Sequence, residues 1–190
     1  MKKLHVSIVK PDEDPVLAGR LSGRRTFVRV LEELPAVSGP AILFLDFHGV
    51  DLATSSFLSE AVLPLRDHLR SRRPPAYVVA ANMNDKVAEE FDDLLTRAGD
   101  AMLACDGATD GAISNVRLIG KLEEKLLDTF NLVRTKGAAS AVELYAESRD
   151  SERIGTTAWN NRLSVLTSKS LVTEIAQGRT KKYQTVLDMQ

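Results

Sequence analysis

The stretch from Asp46 to Leu58 constrains the fold of this 190-residue chain most, because it joins a continuous apolar segment to an amphipathic one. Residues 41–45 are apolar at every position, which is expected of a central strand covered on both faces of a sheet. A glycine and a Thr-Ser-Ser cluster follow, and residues 59–69 then show helical spacing of their apolar side chains. This order predicts a buried strand, a turn and a helix whose first residues carry hydroxyl groups.

The hydroxyl cluster Thr54, Ser55 and Ser56 has two interpretations. A hydroxyl side chain at the start of a helix commonly caps an unpaired backbone N–H group. The same N–H groups, and the partial positive charge of the helix end, also suit a phosphate. The cluster is therefore expected either to cap the helix or to form a regulatory or partner-binding surface.

Strand and helix patterns alternate through the first part of the chain. Strand patterns lie at residues 4–8, 41–45, 77–81, 101–105 and 113–119, and helical patterns lie around residues 27–34, 59–69 and 87–95. This alternation predicts an α/β layer fold for a first domain, residues 1–118. The Arg24-Arg25 pair near the first helix start is unfavourable for the helix dipole, so it is either a solvated face or a contact for an anionic ligand or partner.

A short motif in the first domain carries a family resemblance. The segment Asp46-Phe47-x-Gly49-Val50, followed by Ser55-Ser56-Phe57-x-x-Glu60, resembles the central motif of STAS-like domains, particularly the group with a Ser-Phe-x-x-Glu signature. The segment Gly19-Arg20-x-x-Gly23-Arg24 is similar to the same group. The resemblance covers about residues 1–115. It implies a STAS-like sheet-and-helix domain that senses a protein partner or a small ligand.

The related anti-anti-sigma factors begin this helix with an Asp-Ser-Ser-Gly pattern, and a kinase phosphorylates the second serine. Ser56 occupies the position of that serine, whereas Thr54 stands in place of the Asp and Phe57 in place of the Gly. The resemblance implies that Ser56 is a candidate phosphorylation site, where a phosphate would add about 1.5–2 negative charges to a helix N-terminus. The alternative is that Phe57 is buried beneath the helix.

The second half of the chain places three helical patterns before two strand patterns. The helices are expected at residues 121–136 and 138–146 and from Thr156, with Thr156 and Thr157 as caps. Residues 171–175 and 182–187 flank a polar Gln177-Gly178-Arg179 turn and predict a β-hairpin. This is the element order of a winged helix-turn-helix domain, and residues 156–172 and 178–183 resemble its recognition helix, strand and wing. The second domain, residues 119–190, is therefore expected to be an α+β winged helix-turn-helix domain.

The winged-helix resemblance implies DNA binding by the helix from Thr156 and by the hairpin. Asn can contact adenine through two hydrogen bonds, Thr and Ser can hold phosphate, and Lys and Arg neutralise the DNA backbone. The candidate DNA-binding residues are Thr157, Asn160, Asn161, Arg162, Ser164, Lys169, Arg179, Lys181 and Lys182. The alternative is a solvated polar face in a winged fold that contacts protein. Trp159 is interpreted as a core anchor of this domain.

Composition and motif content exclude several classes of function. The chain has a net charge of -1, and residues 151–190 carry six Lys or Arg against three Asp or Glu, a modest excess for a nucleic-acid binder. The single cysteine, Cys105, excludes an internal disulfide framework and is expected to pack as a small hydrophobe. The sequence has no metal-ligand spacing, phosphate-binding loop or nucleophile elbow, so no enzyme, metal or cofactor is expected.

Two further absences concern the location of the protein. No apolar segment approaches the roughly 20 residues of a membrane span, and the N-terminus lacks the apolar core of a signal peptide. The sequence therefore predicts a cytoplasmic protein.

Three functions remain open at this point. The first is a DNA-binding transcriptional regulator whose STAS-like domain senses a partner or a ligand. The second is an adaptor in a partner-switching system, in which the STAS-like domain docks a kinase-like ATPase and the winged fold contacts protein. The third is a homodimeric repressor with a dimer seam at Leu122, Leu126 and Phe130, although these residues could equally belong to an intramolecular core.

Overall fold

A computed structural model describes residues 1–107, 112–147, 155–177 and 180–189 of the chain. These residues form two compact units, Met1–Lys121 and Leu122–Met189. The mixed α/β character expected from the sequence is confirmed, since the described residues form six helices and nine strands. Among the same residues, no helix combines the length and the apolar character that crossing a membrane requires.

The first unit is built on a five-stranded sheet with the order β1-β3-β5-β6-β7. The strands of this sheet are β1 (Lys2–Ser7), β3 (Ala41–Asp46), β5 (Ala76–Ala81), β6 (Ala101–Asp106) and β7 (Ser114–Gly120). The first four are parallel, and β7 is antiparallel to β6. All six residues of β5 are buried, as expected of a central strand.

Three helices connect the parallel strands: α1 (Arg20–Glu33), α2 (Ser55–Ser71) and α3 (Asp85–Arg97). Their buried side chains share one hydrophobic core with alternate residues of the strands, because successive strand residues point to opposite faces. Members of this core include Leu4, Val6, Val30, Leu43, Leu45, Leu65, Val78, Val87, Phe91 and Leu95. Helix α1 ends at Glu33, and its C-cap Leu34 is extended because it precedes Pro35.

Two very short strands set the start of α1 beside the start of α2. Strands β2 (Val16–Leu17) and β4 (Leu52–Ala53) pair in parallel. Each lies a few residues before a helix, and the backbone N–H of Thr54 donates to the carbonyl oxygen of Leu17 at 2.9 Å. The N-termini of α1 and α2 are therefore neighbours.

The second unit contains α4 (Glu124–Lys136), α5 (Ala141–Glu147), α6 (Thr156–Ser168), β8 (Val172–Gln177) and β9 (Thr180–Thr185). Strands β8 and β9 form an antiparallel hairpin, and Ala139 forms an antiparallel bridge with Tyr183 of β9. Of the residues considered for a dimer seam, Leu122 and Phe130 are 5% and 1% exposed. Both side chains are therefore buried by intramolecular packing, as expected if they belong to a core and not to a dimer seam.

Candidate functional site

Thr54 is the N-cap of α2. Its backbone is extended, and its hydroxyl oxygen accepts a hydrogen bond from the backbone N–H of Phe57 at 3.3 Å. The same oxygen accepts a longer bond, 3.4 Å, from the backbone N–H of Gly19 at the start of α1. Phe57 is fully buried, which confirms the alternative in which this side chain packs in the interior. Thr54 thus has a structural role that joins the first turns of two helices.

Ser55 and Ser56 are half-buried and have different hydrogen-bond partners. The Ser55 hydroxyl donates to Glu90 Oε2 at 2.8 Å and accepts from Arg97 Nη2 at 3.3 Å. The Ser56 hydroxyl lies 3.1 Å from the Thr54 hydroxyl. The structure therefore brings the predicted hydroxyl cluster together and adds a carboxylate and a guanidinium from α3. Sequence patterns could not identify Glu90 and Arg97, because these residues lie 35 and 42 positions from Ser55.

A second polar cluster lies where β3, β5 and β6 end. Asp46 Oδ1 accepts from the backbone N–H of His48 at 3.0 Å and from Asn82 Nδ2 at 2.8 Å. Asn82 Oδ1 accepts in turn from the backbone N–H of Gly107 at 2.8 Å. Asn82 has a φ of 56°, a left-handed conformation that Asn adopts more readily than most residues. The sequence contained a signal for Asn82, which directly follows a buried strand, and Asp46 is the last residue of β3.

An open cleft of about 460 Å³ adjoins this cluster. Its lining includes Phe47, His48, Asp51, Asn84 and Asp106. The amide of Asn84 donates to the carbonyl oxygens of Val50 and Asp51 at 2.7 and 3.2 Å, while its own oxygen caps α3. These amide groups therefore connect strand ends and a helix start, which is a structural use of polar side chains.

Helix α6 has one polar face and one buried face. Its polar face carries Thr157, Asn160, Asn161 and Ser164, all of which are exposed. Their spacing of three and four positions places them on the same side of the helix. The opposite side is formed by Trp159, Leu163 and Leu166, which are at most 2% exposed. The interpretation of Trp159 as a core anchor is confirmed.

The start of α6 differs from the prediction. Gly155 is the N-cap, and no side chain caps the helix. The prediction that Thr156 and Thr157 are caps was therefore wrong, since both residues already belong to the helix. The Thr157 side chain is exposed to solvent.

Arg162 and Lys169 are both half-buried. The guanidinium carbon of Arg162 lies 5.0 Å from the ring centroid of Trp159, a cation–π geometry. This contact holds Arg162 beside the polar face of α6. Lys169 is the C-cap of α6, and its backbone N–H donates to the carbonyl oxygen of Val165 at 3.1 Å.

The two described lysines of the hairpin are paired with carboxylates. Lys181 Nζ lies 3.0 Å from Glu174 Oε1, and this hydrogen bond raises the pKa of Lys181. Lys182 Nζ lies 2.8 Å from Glu143 Oε1. Arg179 lies outside the described residues. The positive charge that the hairpin offers to a phosphate is therefore partly neutralised within the unit.

Glu143 belongs to a capping box at the start of α5. Its carboxylate accepts from the backbone N–H and the hydroxyl of Ser140 at 2.7 and 3.0 Å, and its own N–H donates to that hydroxyl at 3.2 Å. The hydrogen bond from Lys182, followed by those from Ser140, lowers the pKa of Glu143 to about 2. The sequence signal for this site is Ser140-x-x-Glu143, the capping-box pattern.

Within the described ranges, no group of three or more His, Cys, Asp or Glu side chains could hold a metal ion. Cys105 is 1% exposed, and burial, followed by the charge of Asp106, raises the pKa of its thiol to about 11. The thiol is therefore protonated at neutral pH and weakly reactive. The chain matches no protein-family model, and a search of curated proteins finds no match.

Proposed function

We propose that this chain is a DNA-binding transcriptional regulator. Residues 122–189 act as a winged helix-turn-helix domain, which inserts α6 into the major groove and lays the β8–β9 hairpin along the phosphate backbone. Residues 1–121 act as a STAS-like domain, which binds a regulatory partner or ligand at the surface formed by Thr54, Ser55 and Ser56. Neither role requires a catalytic group.

The observation that carries this proposal is the exposed polar face of α6. Asn160 and Asn161 are adjacent and exposed, and the amide of each can donate and accept hydrogen bonds at an adenine edge. Thr157 and Ser164 extend the face by one turn in each direction, where their hydroxyls can bond phosphate oxygens. The buried face of the same helix fixes its orientation, and the hairpin follows within a few residues.

The test uses the full chain and DNA selected from a random duplex library. The variant Asn160→Ala with Asn161→Ala removes the amides, and Asn131→Ala in α4 is the matched control. Because a bidentate contact contributes about 1–3 kcal/mol of base discrimination, the double variant should bind the selected duplex about tenfold or more weakly. Its affinity for random duplex should stay unchanged. Fluorescence anisotropy with labelled duplexes measures both affinities.

The dependence of DNA affinity on salt concentration provides a second test of the proposal. Phosphate neutralisation releases counterions, so the logarithm of the binding constant should fall linearly with the logarithm of the salt concentration. Replacing Arg179, Lys181 and Lys182 by Ala should flatten this slope. Failure of the wild-type chain to bind any duplex at low salt would overturn the proposal.

A second candidate function is favoured by the carboxylates around the hairpin. Lys181 and Lys182 are already paired, and both the N-cap of α4, Glu123, and its first residue, Glu124, are exposed. Such a surface suits a protein partner better than a polyanion. In this case the chain is a partner-switching adaptor, its STAS-like unit docks a kinase-like ATPase, and a phosphate on Ser56 alters that contact. A Ser56→Asp variant that binds the purified ATPase as tightly as wild type would count against the switch.

A further inference from the structure

Helix α1 presents two large apolar side chains to solvent. Leu21 is 64% exposed and Val28 is 50% exposed. The two residues are seven positions apart and therefore lie on the same face, two turns from each other. Val30 on the opposite face is 1% exposed and belongs to the core. The core accounts for one side of α1 and leaves Leu21 and Val28 unpacked.

Three arginines surround this apolar pair. Arg20, Arg24 and Arg25 are all exposed, and Arg24 and Arg25 lie three and four positions after Leu21. Arg24 Nε pairs with Glu60 Oε2 at 2.8 Å, yet the Arg24 side chain keeps 65% of its exposure. Within the described residues, Arg20 and Arg25 form neither a hydrogen bond nor an ion pair. The guanidinium of Arg25 is therefore available to a partner, and that of Arg20 is exposed but acts electrostatically on Glu60, whose pKa it helps to lower.

The position of these arginines is unfavourable for the helix itself. They lie in the first turns of α1, where the helix dipole favours negative charge. The first turn contains no acidic residue, and the N-cap Gly19 offers no side-chain cap. The exposed acids Glu32 and Glu33 lie at the other end of the helix. The arginines are therefore unfavourable for α1 itself, and the described carboxylate that compensates them is Glu60 of α2, which pairs with Arg24. An anionic partner would add the compensation that α1 lacks.

We propose that the face formed by Arg20, Leu21, Arg24, Arg25 and Val28 is a docking surface for an acidic, amphipathic helix of another protein. Leu21 and Val28 provide the apolar contacts, and the arginines pair with carboxylates that flank the apolar residues of the partner. The carboxylates concentrate over the first half of α1, because Glu32 repels them from the second half. This surface goes beyond the proposed DNA-binding function and does not depend on it.

The probe is a synthetic helical peptide that carries leucines seven positions apart with glutamates between them. Its matched control is the same peptide with lysine at each glutamate position. The full chain should bind the acidic peptide and not the basic one, as measured by fluorescence anisotropy at low salt. The double variant Arg20→Glu with Arg25→Glu should lose about tenfold or more in affinity, since two attractive contacts become repulsive. A Glu at position 20 suits the helix start but lies near Glu60, so urea unfolding followed by circular dichroism checks that this variant is folded.

Two further variants separate apolar from electrostatic contributions. Leu21→Gln with Val28→Gln should weaken binding without loss of stability, because both side chains are already exposed. Lys86→Glu, a charge reversal on the exposed surface of α3, should leave affinity unchanged. Equal affinity of wild type and the Arg20→Glu, Arg25→Glu variant for the acidic peptide would overturn the proposal, as would absence of binding. A fall in the solution mass of the free chain on changing Leu21 and Val28 would instead assign the face to a second copy.

Discussion

At the scale of single residues, the close approach of α1 and α2 depends on Gly23. A Cβ atom at this position would lie 2.6 Å from the carbonyl oxygen of Phe57 and 3.0 Å from the Cβ of Glu60. The carbonyl oxygen belongs to the backbone of α2 and cannot move aside by a rotamer change. Any side chain at Gly23 therefore forces the two helices apart and disturbs the packing of the fully buried Phe57.

The substitution Gly23→Ala should lower the free energy of unfolding by about 2–3 kcal/mol, the upper range for overpacking a close contact. Urea denaturation followed by circular dichroism measures the change. Gly39→Ala is the matched control, because nothing lies within 4 Å of a Cβ at Gly39 and its φ is not positive. Equal stability of the two variants would contradict the close helix contact.

At the scale of secondary-structure elements, the sequence predicted those whose apolar pattern is long. The strand at residues 41–45 and the helix from Ser55 follow from continuous burial and from helical spacing. Strands β2 and β4 could not be predicted, because each has two residues and exists only through pairing with the other. The start of α6 was misjudged because two threonines seemed better caps than the preceding Gly155.

The candidate surfaces also contain some features that local sequence spacing predicts and others that it does not. The exposed face of α6 follows from local spacing, so the positions of Asn160 and Asn161 were predictable. The carboxylates that pair with Lys181 and Lys182 were not, because they depend on the register of β8 with β9 and on the packing of α5. Pairing between elements distant in sequence decides how much charge a surface keeps.

The capping box of α5 leads to a prediction on pH dependence. Because the pKa of Glu143 falls from 4.5 to about 2 on folding, its stabilisation is present above about pH 4.5 and is lost as the pH falls toward 2. The Glu143 side chain is 44% exposed, so solvent screening reduces the effect to about 1 kcal/mol. Glu143→Gln should be less stable at neutral pH by about this amount, and the difference from wild type should shrink between pH 4.5 and 2.

Trp159 is the only tryptophan of the chain and lies in the second unit. Its fluorescence during urea unfolding therefore measures the stability of wild type and of Glu143→Gln at each pH. Glu123→Gln is the control, because the Glu123 side chain forms no cap bond at the start of α4. The control should follow wild type at every pH. A constant difference between Glu143→Gln and wild type across the acidic range would show that the carboxylate charge does not stabilise α5.

At the scale of the whole molecule, charge limits how the proposed binding of DNA could occur. The chain has a net charge of -1, so it has no general attraction for a polyanion. Affinity must come from local cations in residues 151–190, and among the described residues two of these are shared with Glu143 and Glu174. Under the proposed function, phosphate would therefore have to compete with these intramolecular ion pairs, and each carboxylate would act as an internal competitor of DNA.

This competition predicts a gain of affinity on removal of a carboxylate. Glu174→Gln frees Lys181 and removes a negative charge from the hairpin, so DNA affinity at low salt should rise about three- to tenfold. One additional phosphate contact should also make the slope of log K against log salt steeper by about one. Anisotropy titrations over a range of salt concentrations measure both quantities, and Glu123→Gln tests whether removing any carboxylate suffices. An unchanged slope would mean that Lys181 does not contact the DNA backbone.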